Sequence, residues 1–261
     1  MRWRSGLEWS RKPCSFTQWA ERRPVSGLPP RRLDREWLDD LSVHDPRARK
    51  ARRDLRRVNA WMRQAPILRR LLLSHWTGTP PRSMLDLGGG DGTFLLRLAR
   101  IIGPTWPDLR VTLVDTREGV SERTRRGLAS VGWGLTVVEA DVLDAVGRRG
   151  LQPFDVTITN LFLHHLGTAA LSELFGRISA LTTLFVACEP RRSPTALLAS
   201  QLLWVIGCND VTRHDAPLSV HSGFLGGELS ALWPKAGRWE TEEAEEGLFS
   251  HSFAARKRER E

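Results

Sequence analysis

The sequence predicts an α/β fold built on a doubly wound sheet, and three observations carry that prediction. An apolar run ending at Leu87 has the length and polarity of a central parallel strand, and it passes directly into the glycine turn Gly88-Gly89-Gly90-Asp91-Gly92. Phe94, Leu95, Leu98, Ile101 and Ile102 then recur at helical spacing. Further β-rich segments at 110–115, 135–140, 154–160 and 184–190 alternate with helical stretches, which is the rhythm of a sheet covered on both faces. At 261 residues the chain is long enough to bury a full core.

The first 30 residues mix prolines, glycines, arginines and scattered tryptophans without a sustained period, so an extended or disordered arm is expected there. Helical spacing begins at Leu33, with Trp37 and Leu41 one turn apart. Asp45-Pro46 reads as an N-cap followed by proline at the first helical position. The helix that follows carries Leu55, Val58, Trp61 and Met62 on one stripe, with Pro66 as its expected end or bend. A further helix over Ile67–His75 leads into Thr77-Gly78-Thr79-Pro80-Pro81 and the first strand.

Glycines at 88, 90 and 92 tolerate positive φ and lack a Cβ, so a ligand can lie against the main chain at the start of the next helix. A dinucleotide fingerprint needs a third glycine. Thr93 or Leu95 stands there, depending on the frame, so both frames fail. What is present instead is Asp86-x-Gly88-x-Gly90-x-Gly92, which resembles the first motif of class I S-adenosylmethionine-dependent methyltransferases. A cofactor with a cationic amino-acid end has more use for a carboxylate than for a glycine that packs a pyrophosphate helix.

The resemblance covers about Arg69 to Arg256 and looks nearest to quinone-biosynthesis-type and bacterial small-molecule methyltransferases. It implies S-adenosyl-L-methionine as cofactor and a Rossmann-like seven-stranded sheet, mostly parallel with the last strand antiparallel. Asp86, Gly88, Gly90 and Gly92 would hold the methionine end. Asp115 and Thr116, closing the segment Arg110–Asp115, would meet the ribose. Asp141 and Val142 would meet the adenine, and Asn160 would close the fourth strand over the methyl group. The implied domain runs from 77 to 256, with a substrate-side insertion at about 191–235 and a tail at 257–261. The helices of residues 31–76 form a cap over the cofactor and acceptor, in which water exclusion is the expected job.

After the fifth segment, Leu184–Pro190, Ser193-Pro194 opens a helix rich in Ala and Leu. Asp210–Phe224 is polar and holds two histidines. Arg238–Glu245 and Leu248–Ala255 read as the last two strands, joined by a turn at Glu246-Gly247.

Methyl transfer needs alignment, dehydration and, for a hydroxyl acceptor, a base. His164 and His165, just beyond the fourth strand, and His214, with Asp215 as a possible orienting partner, are the candidates. Adjacent residues rarely pair without a turn, which counts against Asp215. Leu161, Phe162, Leu163, Leu202, Trp204 and Phe224 suggest a flat or hydrophobic acceptor. The leading expectation is O-methylation of a small aromatic, phenolic or polyketide-like metabolite, with C-methylation of a quinol precursor next. An RNA methyltransferase, or a cofactor-binding protein without turnover, are the competing readings.

The net charge of +9, with arginines dense between Arg31 and Arg70, raises RNA or membrane contact. The same stretch carries six acids, and a solvated helical face is the favoured reading. Cys14, Cys188 and Cys208 are widely separated, read as reduced thiols, and show no metal-ligand spacing. No apolar run approaches membrane-spanning length and no signal-peptide core follows the basic start, so a cytoplasmic location is expected.

Overall fold

A computed structural model of the chain describes residues 30–42, 44–117, 119–148, 150–236 and 239–258. The expected N-terminal arm, apart from Pro30, lies outside the described residues, as do Cys14 and the end of the tail.

Three helices lead: α1 (Trp37–Asp40), α2 (Pro46–Trp61) and α3 (Gln64–His75). The sheet portion then runs β1 (Ser83–Leu87), α4 (Thr93–Ile102), β2 (Arg110–Asp115), α5 (Glu122–Ala129), β3 (Gly134–Glu139), α6 (Val142–Val146) and β4 (Phe154–Asn160). After a 3-10 turn at Leu163–His165 come α7 (Thr168–Leu181), β5 (Thr182–Pro190) and α8 (Pro194–Gln201). A second 3-10 turn at Leu203–Ile206 precedes α9 (Asp210–His221), α10 (Glu228–Leu232), β6 (Trp239–Glu246) and β7 (Ser250–Lys257).

The seven strands form one sheet in the order β3-β2-β1-β4-β5-β7-β6. β1 to β5 pair in parallel, while β7 runs antiparallel to both β5 and β6, as the resemblance implied. Alternation along the strands sends two sets of side chains to two cores. Met84, Val111, Leu113, Val156, Ile158 and Val186 face α3, α4 and α5, while Leu85, Leu87, Val114, Phe185 and Phe253 face α6, α7 and α10. Strand order reverses between β1 and β4, and a crevice opens beyond the strand ends at such a switch point.

Asp45 does cap α2, accepting the Arg47 N–H at 2.7 Å, with Pro46 at the first position. The break before α3 falls earlier than Pro66. Arg63 adopts a left-handed φ of 54°, and Pro66 sits inside the first turn of α3, where its missing N–H has no helical partner to lose. The expected stripe on α2 also differs: the buried side is Ala48, Ala51 and Asp54, and Trp61 is 73% exposed. Small residues let α2 lie close to the chain around Asn209, whose N–H donates to Asp54 at 2.9 Å. The polar stretch 210–221 is helical, with Asn209 capping it through the Thr212 N–H. Among the described residues no helix is long and apolar enough to cross a membrane.

Candidate active site

Gly88, Gly90 and Gly92 all take positive φ, between 56° and 68°, so the turn after β1 uses the conformational freedom that its composition offers. Gly88 is also a close approach: a Cβ there would lie 2.4 Å from the ring of Phe162 in the loop after β4. Gly90 faces open space, with nothing within 4 Å of where a Cβ would stand.

Asp86, on β1 just before the turn, is fully buried, and its Oδ2 has no hydrogen-bond partner. Burial, then the nearby Asp115 carboxylate, push its pKa up from 3.8 to about 7. Two neighbouring acids, one of them buried with an oxygen unsatisfied, form a site that a cation relieves. The ammonium end of S-adenosylmethionine would be such a cation, and the open space at Gly90 leaves room for a ligand beside the turn. Asp115 fastens the turn, accepting the Gly90 N–H at 2.9 Å and the Arg117 N–H at 3.1 Å.

The other predicted cofactor residues are placed less directly. Thr116 is exposed. The Asp141 side chain caps α6 through the Leu143 N–H at 2.8 Å, and Val142 is buried among the residues of the second core. Asn160 closes β4 and donates through Nδ2 to Gln64 Oε1 at 3.2 Å. Asn160 Oδ1 and Gln64 Nε2 are both buried without partners beside the switch point.

The loop after β4 is held by one carboxylate. Glu189, fully buried near the end of β5, accepts backbone N–H groups of Phe162 and Leu163 at 3.1 and 3.0 Å and the ring Nδ1 of His164 at 2.8 Å. Leu161 enters this loop at a φ of 54°, an uncommon conformation for leucine. From the far side Arg31 donates to the carbonyls of His164 and Leu166 at 2.9 and 2.7 Å and stacks over Phe224 at 4.5 Å. Glu189 and Arg31 together fix the His164 backbone and ring.

The three candidate histidines converge on α1. His164 is buried and turns Nε2 toward Glu36, 4.0 Å from its Oε1. His165 is more exposed, its ring 4.1 Å from that of His164 and its Nδ1 3.9 Å from Asp39. His214 stacks on Trp37 with centroids 3.7 Å apart. Contrary to the expectation for adjacent residues, its Nδ1 does meet Asp215 at 2.8 Å, within α9. The two Asp215 oxygens also accept the N–H groups of Trp37 and Leu38, so this carboxylate anchors α1. Two latches join the cap to the sheet: Arg56 to Asp91 at 3.1 Å, and Arg117 to the Asp39 carbonyl at 2.6 Å.

Burial, reinforced by His165, lowers the His164 pKa, so the ring is neutral near pH 7. Burial raises the pKa of Glu36, which accepts the Ser219 hydroxyl. Glu36, His164 and His165 also present one ligand atom each within 4.8 Å of one another, a spacing usable by a metal ion that the cysteine pattern gave no hint of. Sequence reasoning gave Glu189, Glu36, Arg31 and Gln64 no role. Glu189 had a legible signal, an acid at the carboxyl end of a parallel strand, whereas Glu36 depends wholly on where the cap folds back. The apolar set divides: Leu163 and Phe224 are buried beside the loop, but Leu202 and Trp204 are 48% and 58% exposed and do not line the site.

A family profile described as a methyltransferase domain matches residues 84–183. No curated protein sequence matches the chain. Among solved structures, the plantazolicin methyltransferase BpumL in complex with a monoazolic desmethylPZN analog and SAH aligns with a TM-score of 0.58 at 13% identity, over 85% of this chain and 93% of that one. An O-methyltransferase family protein from Burkholderia thailandensis gives 0.54 at 20% identity, over 82% and 60%. An assigned O-methyltransferase from Nostoc punctiforme gives 0.52 at 14% identity; 75% of this chain is covered, and it spans 56% of that protein's length. At such identities the structural likeness speaks for the fold. The profile match falls on the strand, glycine turn and acids described above, so residues 84–183 are similar to a methyltransferase domain and the sheet around them has the fold of the methyltransferases named here.

Proposed function

We propose that the protein methylates a hydroxyl group of a small aromatic acceptor, with His164 as the proton acceptor. The supporting observation is the buried Glu189–His164 pair at the mouth of the switch point. With the ring Nδ1–H donated to Glu189, the lone pair of Nε2 is left facing the 4.0 Å gap to Glu36. That separation is too long for a hydrogen bond, and a hydroxyl seated at the gap can donate to Nε2.

Bound S-adenosylmethionine supplies an electrophilic methyl group on a sulfonium. Asp86, Asp115 and the glycine turn would hold it, with Thr116, Asp141, Val142 and Asn160 as the proposed contacts further along the crevice. Transfer to the acceptor oxygen, with the thioether as leaving group, would need that oxygen aligned and relieved of its proton, which is the part this chain's residues supply. The hydroxyl proton passes to His164 Nε2, and Glu189 stabilises the imidazolium. Because His164 is neutral near pH 7, it is ready to take that proton. Glu36, Trp37 and the α1 backbone close the acceptor side and exclude water. Two of the similar folds carry O-methyltransferase names, in line with this reading.

The test is transfer of labelled methyl to a panel of phenols, quinols and RNA. Label is expected on phenolic oxygen, and His164→Ala should lower kcat by about 10²–10⁴ with cofactor affinity retained. His165→Ala and His214→Ala should cost less than about tenfold. Full turnover by His164→Ala, transfer to RNA alone, or abolition of turnover by a metal chelator would each overturn the proposal.

A further inference from the structure

The outer face of α2 and the chain after α8 form a surface that the active site does not use. Arg49, Arg53, Arg57 and Trp61 follow one another at four-residue spacing, so they make a single row along α2. All four are exposed, and Lys50 flanks them. The two acids that belong to this helix are not on its exposed face: Asp45 caps its start, and buried Asp54 accepts the Asn209 N–H through Oδ2 while its Oδ1 lies 3.5 Å from Arg57. The exposed face of α2 is therefore purely cationic and ends in a tryptophan 73% exposed.

A second row abuts it. Leu198 and Leu202 lie one turn apart, and Trp204 and Val205 follow on the 3-10 turn, at 58% and 63% exposure. Arg57 donates to the Ile206 carbonyl at 3.1 Å, which places this apolar edge directly beside the cationic row. Folding does not account for it: α8 buries only Ala196 and Ser200, and the 3-10 turn buries nothing.

We propose that this face docks the protein on an anionic lipid surface. Tryptophan and leucine side chains enter the boundary between headgroups and acyl chains, and the arginine row lies against the negatively charged headgroups. Charge complementarity selects this occupant. A second copy of the chain would set one cationic row against another, and a nucleic acid would use the arginines but leave the leucines and valine in water. Two exposed tryptophans flanked by cations fit a bilayer interface on both counts.

The experiment is co-sedimentation of the full chain with vesicles of phosphatidylcholine alone or with a quarter phosphatidylglycerol, at low and high salt. Binding is expected to the anionic vesicles and to fall at least about tenfold in high salt. Trp61→Ser with Trp204→Ser should weaken it by at least about tenfold, and Arg49→Glu with Arg53→Glu should remove its dependence on phosphatidylglycerol. Both double variants should keep the wild-type unfolding midpoint and cofactor affinity, since these side chains are exposed and take no part in the Arg56–Asp91 and Arg117–Asp39 bonds that join the cap to the glycine turn and β2 end. Failure to sediment with anionic vesicles at low salt overturns the proposal. So does sedimentation that ignores the tryptophan substitutions, or a dimer that those substitutions disperse while vesicle binding is absent.

Discussion

Replacing Asp86 with asparagine removes a buried charge while keeping the side-chain shape, and it separates the two demands on that position. In the cofactor-free protein the Asp86 pKa stands at about 7, against 3.8 for an unperturbed carboxyl. A pKa raised by folding contributes stability that is fully present below about pH 4 and is lost as pH rises through about 7. Three units correspond to about 4 kcal/mol once the group is ionised in both states, of which about 2–3 kcal/mol is lost between pH 5 and pH 8. Denaturant titration of the cofactor-free wild type and of Asp86→Asn at those two pH values should show the variant losing less stability by roughly that amount. Calorimetry on the same samples should show the reverse for the cofactor: wild-type affinity rising with pH through 7, and Asp86→Asn binding at least about tenfold more weakly. An identical pH slope in the two proteins, or equal cofactor affinity, would refute the claim that Asp86 is a strained acid awaiting a cation.

Two further substitutions probe the turn and the loop. Gly88→Ala puts a methyl group against Phe162 at a φ of +66°, and it should cost about 2–4 kcal/mol by denaturation. Gly90→Ala meets no neighbour, so its loss should be smaller in stability and larger in cofactor affinity. Glu189→Gln keeps one oxygen for the Phe162 and Leu163 N–H groups but presents an amide to the His164 ring. The altered tautomer should lower kcat by about 10²–10⁴ with KM little changed, and steady-state kinetics would refute the orienting role if kcat held.

The sheet and the glycine turn were legible because local pattern dictates them. The central parallel strands β1, β4 and β5 are largely buried and read as apolar runs, and the glycines at 88, 90 and 92 adopt the φ that their composition permits. Asp45-Pro46 was legible for the same reason, since a cap is settled within three residues. The α2 burial was not. Its apolar stripe points one way, but close packing against the Asn209 region selects the side where alanines allow approach. Nor could the residues around His164 be read in full. Glu36, Arg31 and Asp215 reach the loop and α1 from points far apart in the chain, and no local spacing records such a meeting. The outward turn of Leu202 and Trp204 belongs to the same class: hydrophobicity alone does not say which surface a side chain meets.

A four-residue helix has no stability of its own, because nucleating a helical turn is unfavourable. α1 holds its shape through two N–H bonds to the Asp215 carboxylate, each worth about 1.5–3 kcal/mol as a bond to a charged group. Those two bonds alone hold α1 by about 3–6 kcal/mol, and the Arg117–Asp39, Ser219–Glu36 and His214–Trp37 contacts add to them, so a detached α1 is present in fewer than about one molecule in a hundred. An acceptor that enters by this route binds with an apparent affinity reduced by that fraction. On the role proposed for His164, the contacts that α9 makes with α1, the Asp215 carboxylate foremost, would thus govern how often an acceptor reaches that ring.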